Sequence, residues 1–102
     1  MFFGTIMDIQ HAFAKSLKTA RKARGLTQED FSIVSSRTYL STLERGLKNP
    51  TLEKIQDIAE TMEIHPLTLL VSTYMQMDSK QSIESIFKRV QREISEIYPS
   101  PK

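Results

Sequence analysis

Within the stretch Ser36–Pro50, S-R-T-Y-L-S-T-L-E-R-G-L-K-N-P, the side chains of Arg37, Thr38, Ser41, Thr42 and Arg45 are of the types that read nucleic acid. An arginine offers a forked pair of donors that matches the O6 and N7 acceptors of guanine. A threonine offers a hydroxyl for base edges and a methyl group that can touch thymine. Helical spacing puts these residues on one side of a short helix and turns Leu40 and Leu43 to the other, toward a core. Ser36 can cap the helix start and Gly46 can supply the left-handed residue that ends it. A basic, hydroxyl-rich helix face also has a plainer reading as a solvated surface, and the segment upstream decides between the two.

That segment, Gly25-Leu26-Thr27-Gln28-Glu29-Asp30-Phe31, reads as the close of one helix at Gly25 and the start of another. Thr27 is its N-cap, and acids in the first turn complement the helix dipole. Two short helices joined by a tight turn, the second polar on its outside, make a helix-turn-helix.

Three ordered runs, G-L-T-Q-E-D-F, S-R-T-Y-L-S-T-L-E-R-G and N-P-T-L-E-K-I, resemble the XRE-type family of helix-turn-helix transcriptional regulators, which have the lambda-repressor-like DNA-binding domain. The resemblance covers about Phe13 to Val71. It implies an all-α, five-helix domain that binds double-stranded DNA, with the third helix entering the major groove. By that likeness Arg37, Thr38 and Thr42 are the expected base readers, and Tyr39, Ser41 and Arg45 the flanking or phosphate contacts. Gln28 braces the second helix (about Gln28–Val34) against a phosphate, Lys48 and Asn49 meet the backbone from the following loop, and Arg21, with Arg24, ends the first helix beside the DNA. This chain departs from the family pattern at S-I-V-S-S between Phe31 and Arg37, about two residues fewer than expected and without the usual turn glycine. Either the second helix is a fraction of a turn short, or Ser35 and Ser36 form a tighter turn without a positive-φ residue.

The elements that position these residues are legible from periodicity. Asp8 caps a first helix through Arg24, with Ile9, Phe13, Leu17 and Ala20 as its stripe and Lys15, Lys18, Arg21 and Lys22 off it. Pro50 holds Asn49 extended, and Thr51 caps a helix carrying Leu52, Ile55, Ile58, Ala59 and Met62. His65-Pro66 opens another, with Leu67, Leu70, Val71, Tyr74 and Met75 expected against the core. Asp78 with Gln81 resembles a capping box for an additional C-terminal amphipathic helix through about Tyr98, whose stripe is Ile83, Ile86, Phe87, Val90, Ile94 and Ile97. The expected organisation is an N-terminal extension (1–7), the DNA-binding domain (8–77), a self-association helix (78–98) and a tail (99–102).

Charge is divided along the chain. From His11 to Thr51 eight Lys or Arg stand against three acids, whereas from Leu52 to Asp78 one lysine stands against five, so the basic half carries the helix-turn-helix. The chain has no cysteine, which excludes disulfides and thiolate chemistry. No phosphate-cradling glycine loop, nucleophile–base pair or metal-ligand spacing around His11 or His65 is present, so the reading is a non-enzyme without metal or cofactor. No apolar run approaches the roughly 20 residues of a membrane span. M-F-F-G-T-I-M lacks the basic region of a signal peptide, and Met7 is an alternative start to Met1. The expectation is a cytoplasmic regulator that binds a near-palindromic operator as a homodimer or higher oligomer. The alternative is an antitoxin or adaptor whose last helix binds a partner protein, with DNA secondary.

Overall fold

The computed structural model describes residues 7–101; the expectations for the N-terminal extension, the choice of start and Lys102 lie outside the described residues. The described residues form five α-helices and one short 3-10 helix. These are α1 (Ile9–Ala23), the 3-10 helix (Gln28–Phe31), α2 (Arg37–Glu44), α3 (Leu52–Thr61), α4 (Pro66–Met77) and α5 (Ile83–Ile97). This is the all-helical arrangement expected from the sequence, with one helix added after α4.

Each start is set by a side chain that captures an orphan amide. Asp8 accepts from the His11 amide at 2.9 Å, Ser36 from Tyr39 at 3.0 Å and Thr51 from Lys54 at 3.0 Å. The amide of His11, and then its ring, hold the Asp8 carboxyl below the usual carboxylate range. Thr27 and Asp30 complete a reciprocal capping box. The His65 ring Nδ1 accepts from the Leu67 amide at 2.9 Å, with Pro66 in the first helical position. The turn after α2 needs glycine for its backbone conformation, and the His11 ring lies close against it. Gly46 has φ +73°, and a Cβ there would stand 2.8 Å from Cδ2 of His11.

The core is built from Phe13 and Leu17 of α1, Phe31 of the 3-10 helix, Leu40 and Leu43 of α2, Ile55, Ile58 and Ala59 of α3, Met62, and Leu69 of α4. Two stripes differ from expectation at their ends. Ile9 and Leu52 are exposed, because each sits at the open first turn of its helix. α4 turns a different face inward: Leu69 and Thr73 are buried while Leu67 and Tyr74 are exposed. In L-T-L-L-V-S-T-Y-M-Q-M apolar residues occur at nearly every phase, so periodicity cannot choose the face. Packing along α1 chooses it, where small residues allow a close crossing and the Ser72 hydroxyl donates to that of Ser16 at 2.9 Å.

The last helix begins later than expected. The Asp78 backbone caps the end of α4, its carboxylate accepts from the Lys80 amide, and its carbonyl accepts from the Gln81 amide. Asp78 therefore closes a turn instead of opening a helix, and Ser82, accepting from the Ser85 amide, is the cap. No residue of α5 is fully buried, and its contacts with the domain are to α4. Ile86 is half-buried; Ile83, Phe87, Val90, Ile94 and Ile97 are 40–65% exposed. Leaving each such side chain in water forfeits part of roughly 1.5–3 kcal/mol. No helix of the described residues is long and apolar enough to cross a membrane.

Candidate nucleic-acid interface

The shortened approach to α2 resolves as a shortened helix. The second element is a single 3-10 turn, and successive bonds from Ser32 to Glu29, Val34 to Phe31 and Ser35 to Phe31 carry the chain to Ser36. No residue between Gln28 and Ser36 has positive φ, so the missing glycine is not needed. The Lys54 ammonium donates to the Val34 carbonyl and ties the end of this turn to α3.

With Leu40 and Leu43 fully buried, α2 presents its opposite face outward. Arg37, Thr38, Ser41 and Arg45 line a shallow depression of about 300 Å³ together with Gln28 of the 3-10 helix. Residues from two elements thus meet on one exposed surface. Arg37 lies 3.5 Å from the Glu29 carboxylate, both side chains about 70% exposed. An ion pair this open is worth roughly 0–1 kcal/mol, so the guanidinium can be given up to a stronger acceptor. Thr42 is half-buried and does not line the depression; it donates its hydroxyl hydrogen to the Thr38 carbonyl at 2.7 Å, which leaves the hydroxyl oxygen as an acceptor.

Beside this surface, the half-buried Tyr39 ring lies near two ammonium groups, Lys48 at 5.8 Å and Lys54 at 5.7 Å from its centroid. Lys48 and Asn49 are exposed on the loop after α2. Asn49 also edges a second hollow, formed with Ile9, Phe13, Ile55 and Tyr74. Lys54 was not singled out by the sequence. It is the one lysine of an acid-rich stretch, and no local signal links it to Val34 or Tyr39.

Arg21 is corrected. It is 8% exposed and points inward, where its Nε and Nη2 donate to both oxygens of Glu44 at 2.6 and 2.9 Å, and its Nη1 donates to the Leu26 carbonyl at 2.9 Å. Glu44 is as deeply set, with its side chain 3% exposed, and also accepts from Gln28 Nε2 at 3.1 Å. Hydrogen bonding to Glu44, and then its charge, raises the Arg21 guanidinium above its ordinary value. The signal was present: Arg21 follows Phe13 and Leu17 at four-residue steps and so belongs to the inner stripe of α1, not beside it. Arg21 therefore braces α1, the 3-10 helix and α2, with its guanidinium turned inward onto Glu44 and Leu26 and away from the surface a phosphate would approach. Arg24 is exposed and reaches the Glu63 carbonyl at 3.3 Å.

Residues 17–69 match the Helix-turn-helix family. The chain is also 33% identical over 69 residues to the uncharacterized HTH-type transcriptional regulator y4dJ of Sinorhizobium fredii, an alignment spanning 66% of this chain and 90% of that protein. No solved structure matches.

Proposed function

This chain belongs to the XRE-type helix-turn-helix family of DNA-binding transcriptional regulators, and on that premise we propose that it binds a near-palindromic operator as a homodimer, with α2 in the major groove. The observation that carries the reading is the convergence of Gln28, Arg37, Thr38, Ser41 and Arg45 on one exposed surface of a helix whose other side is anchored by Leu40 and Leu43. Arg37, Thr38 and Thr42 read bases. Ser41, Arg45 and Tyr39 flank them, and Gln28, Lys48 and Asn49 hold the backbone. The bond from Gln28 to Glu44 leaves the amide oxygen of Gln28 free and fixes the side chain where the 3-10 helix meets α2. A two-fold dimer sets two α2 helices roughly 34 Å apart, one turn of duplex. Its place of work is then with the DNA, in the cytoplasm.

The test compares two substitutions on the preferred duplex and on a scrambled one. Arg37→Ala costs about 1–3 kcal/mol on the preferred duplex and little on the scrambled one, because a lost guanine contact matters only where guanine is read. Lys48→Ala weakens both alike and lowers the slope of log affinity against log salt by about one, the mark of a lost phosphate contact. Equal losses on both duplexes for Arg37→Ala would remove it from the base-reading set.

A further inference from the structure

We propose that the groove between α4 and α5 is filled by the C-terminal half of α5 from a second copy of this chain, the two α5 helices running antiparallel. This rests on the dimeric reading above and specifies how the dimer is held. The groove encloses about 370 Å³, and its apolar lining comes from Leu67, Val71 and Met75 of α4 and from Ile83 and Phe87 at the start of α5.

The stripe of α5 continues out of the groove without a break. Ile83, Phe87, Val90, Ile94 and Ile97 follow one another in alternating steps of four and three, the seam of a two-helix pair. The first two line the groove; the last three extend past it along a helix with no buried residue. One chain thus carries both an unfilled apolar groove and an uncovered apolar ridge, at opposite ends of one helix. A two-fold axis across α5 brings each ridge to the other copy's groove and satisfies both at once, as a self-complementary interface must. Only the antiparallel direction does this. A parallel pair would set ridge against ridge and leave both grooves open. At 1.5 Å per residue α5 is roughly 22 Å long, against roughly 18 Å for α4, so its outer half can lie along the groove wall. In the seam's register the partner's Ile94 lies beside Ile83 and Met75.

Charge on α5 is compatible with a second copy as the occupant. On α5 Lys88, Arg89 and Arg92 are balanced by Glu84, Glu93 and Glu96, and Arg89–Glu93 (3.0 Å) and Arg92–Glu96 (4.0 Å) pair within the helix. A flank without net charge neither draws an anionic membrane or nucleic acid nor repels its own copy.

The test is sedimentation of the full chain, of Met75→Lys, of Ile94→Glu and of an equimolar mixture of the two variants, with helicity and thermal unfolding recorded for each. Wild type is expected to sediment as a dimer. Each variant alone buries a lone charge at both contacts, and its dimer Kd should rise by at least roughly tenfold. In the mixed dimer one contact joins lysine to glutamate and the other is wild type, so mixing restores dimers, which a misfolded variant could not do. A Met75→Lys protein that dimerises like wild type, or two folded monomeric variants that stay monomeric on mixing, would overturn the groove proposal while leaving a dimeric regulator intact. A wild-type chain that sediments as a monomer and binds duplex DNA one copy at a time would overturn the dimeric reading itself.

Discussion

Removal of residues 78–102 is expected to lower affinity for a two-half-site operator by roughly 10²–10⁴-fold and to leave affinity for a single half-site nearly unchanged. The effect comes from linkage: once one α2 of a dimer is seated, the other meets its half-site at an effective concentration set by the connection between them, and cutting that connection forfeits the gain without touching a contact. The remaining domain should stay folded, because the core residues all precede Leu70 and no α5 residue is buried. Band-shift titrations on one and two half-sites, with sedimentation of both proteins, measure the separation. The outcome also decides between the regulator and an adaptor whose last helix takes a partner protein. If the truncated chain keeps its oligomeric size and its two-site affinity, α5 serves something other than self-association, and the adaptor reading gains.

Glu44→Ala should lower the unfolding free energy by about 2–4 kcal/mol, near the lower end of what breaking a buried ion pair costs, since the Arg21 side chain keeps a 10% edge in solvent. For a domain of this size that corresponds to a fall in Tm of roughly 10–20 °C. The carboxylate closes two bonds from Arg21 and one from Gln28, so its loss leaves a guanidinium without its counter-ion and removes the polar tie between the 3-10 helix and α2. Operator affinity should fall as well, even where the protein remains folded, because the angle of α2 to the rest of the interface is no longer held. Urea unfolding of Glu44→Ala beside an Arg21→Leu/Glu44→Leu double variant separates the causes. Replacing both partners by apolar side chains should recover much of the stability but not the DNA affinity. A Tm for Glu44→Ala, from thermal unfolding, within about 3 °C of wild type would show the pair to be an ordinary surface contact.

Caps and turn residues were the most legible features of this chain. Asp8, Thr27, Ser36, Thr51 and His65 all capture amides, and Gly25 and Gly46 have positive φ, as their local chemistry requires. Such signals act over three or four residues and need no knowledge of the rest of the fold. Failures came where the deciding partner is distant in sequence. Whether Arg21 faces a phosphate or a carboxylate depends on Glu44, and the face of α4 depends on its crossing with α1. The role of Lys54 depends on Val34 and Tyr39 in other elements. The Asp78–Gln81 spacing misled for a local reason: two competing caps, Asp78 and Ser82, lie four residues apart, and the turn between them uses the first. At the interface, the outward face of α2 followed from Leu40 and Leu43 alone, whereas the contribution of Gln28 to the same surface required the compact 3-10 turn.

On the proposed reading, the outer face of α2 distinguishes one base sequence from another. The most direct test is selection of bound duplexes from a random DNA pool by the full chain. Enrichment of an inverted repeat, with half-site centres one helical turn or a multiple of it apart and a guanine whose preference Arg37→Ala abolishes, is the predicted result. A selected pool indistinguishable in sequence from the starting one would contradict it.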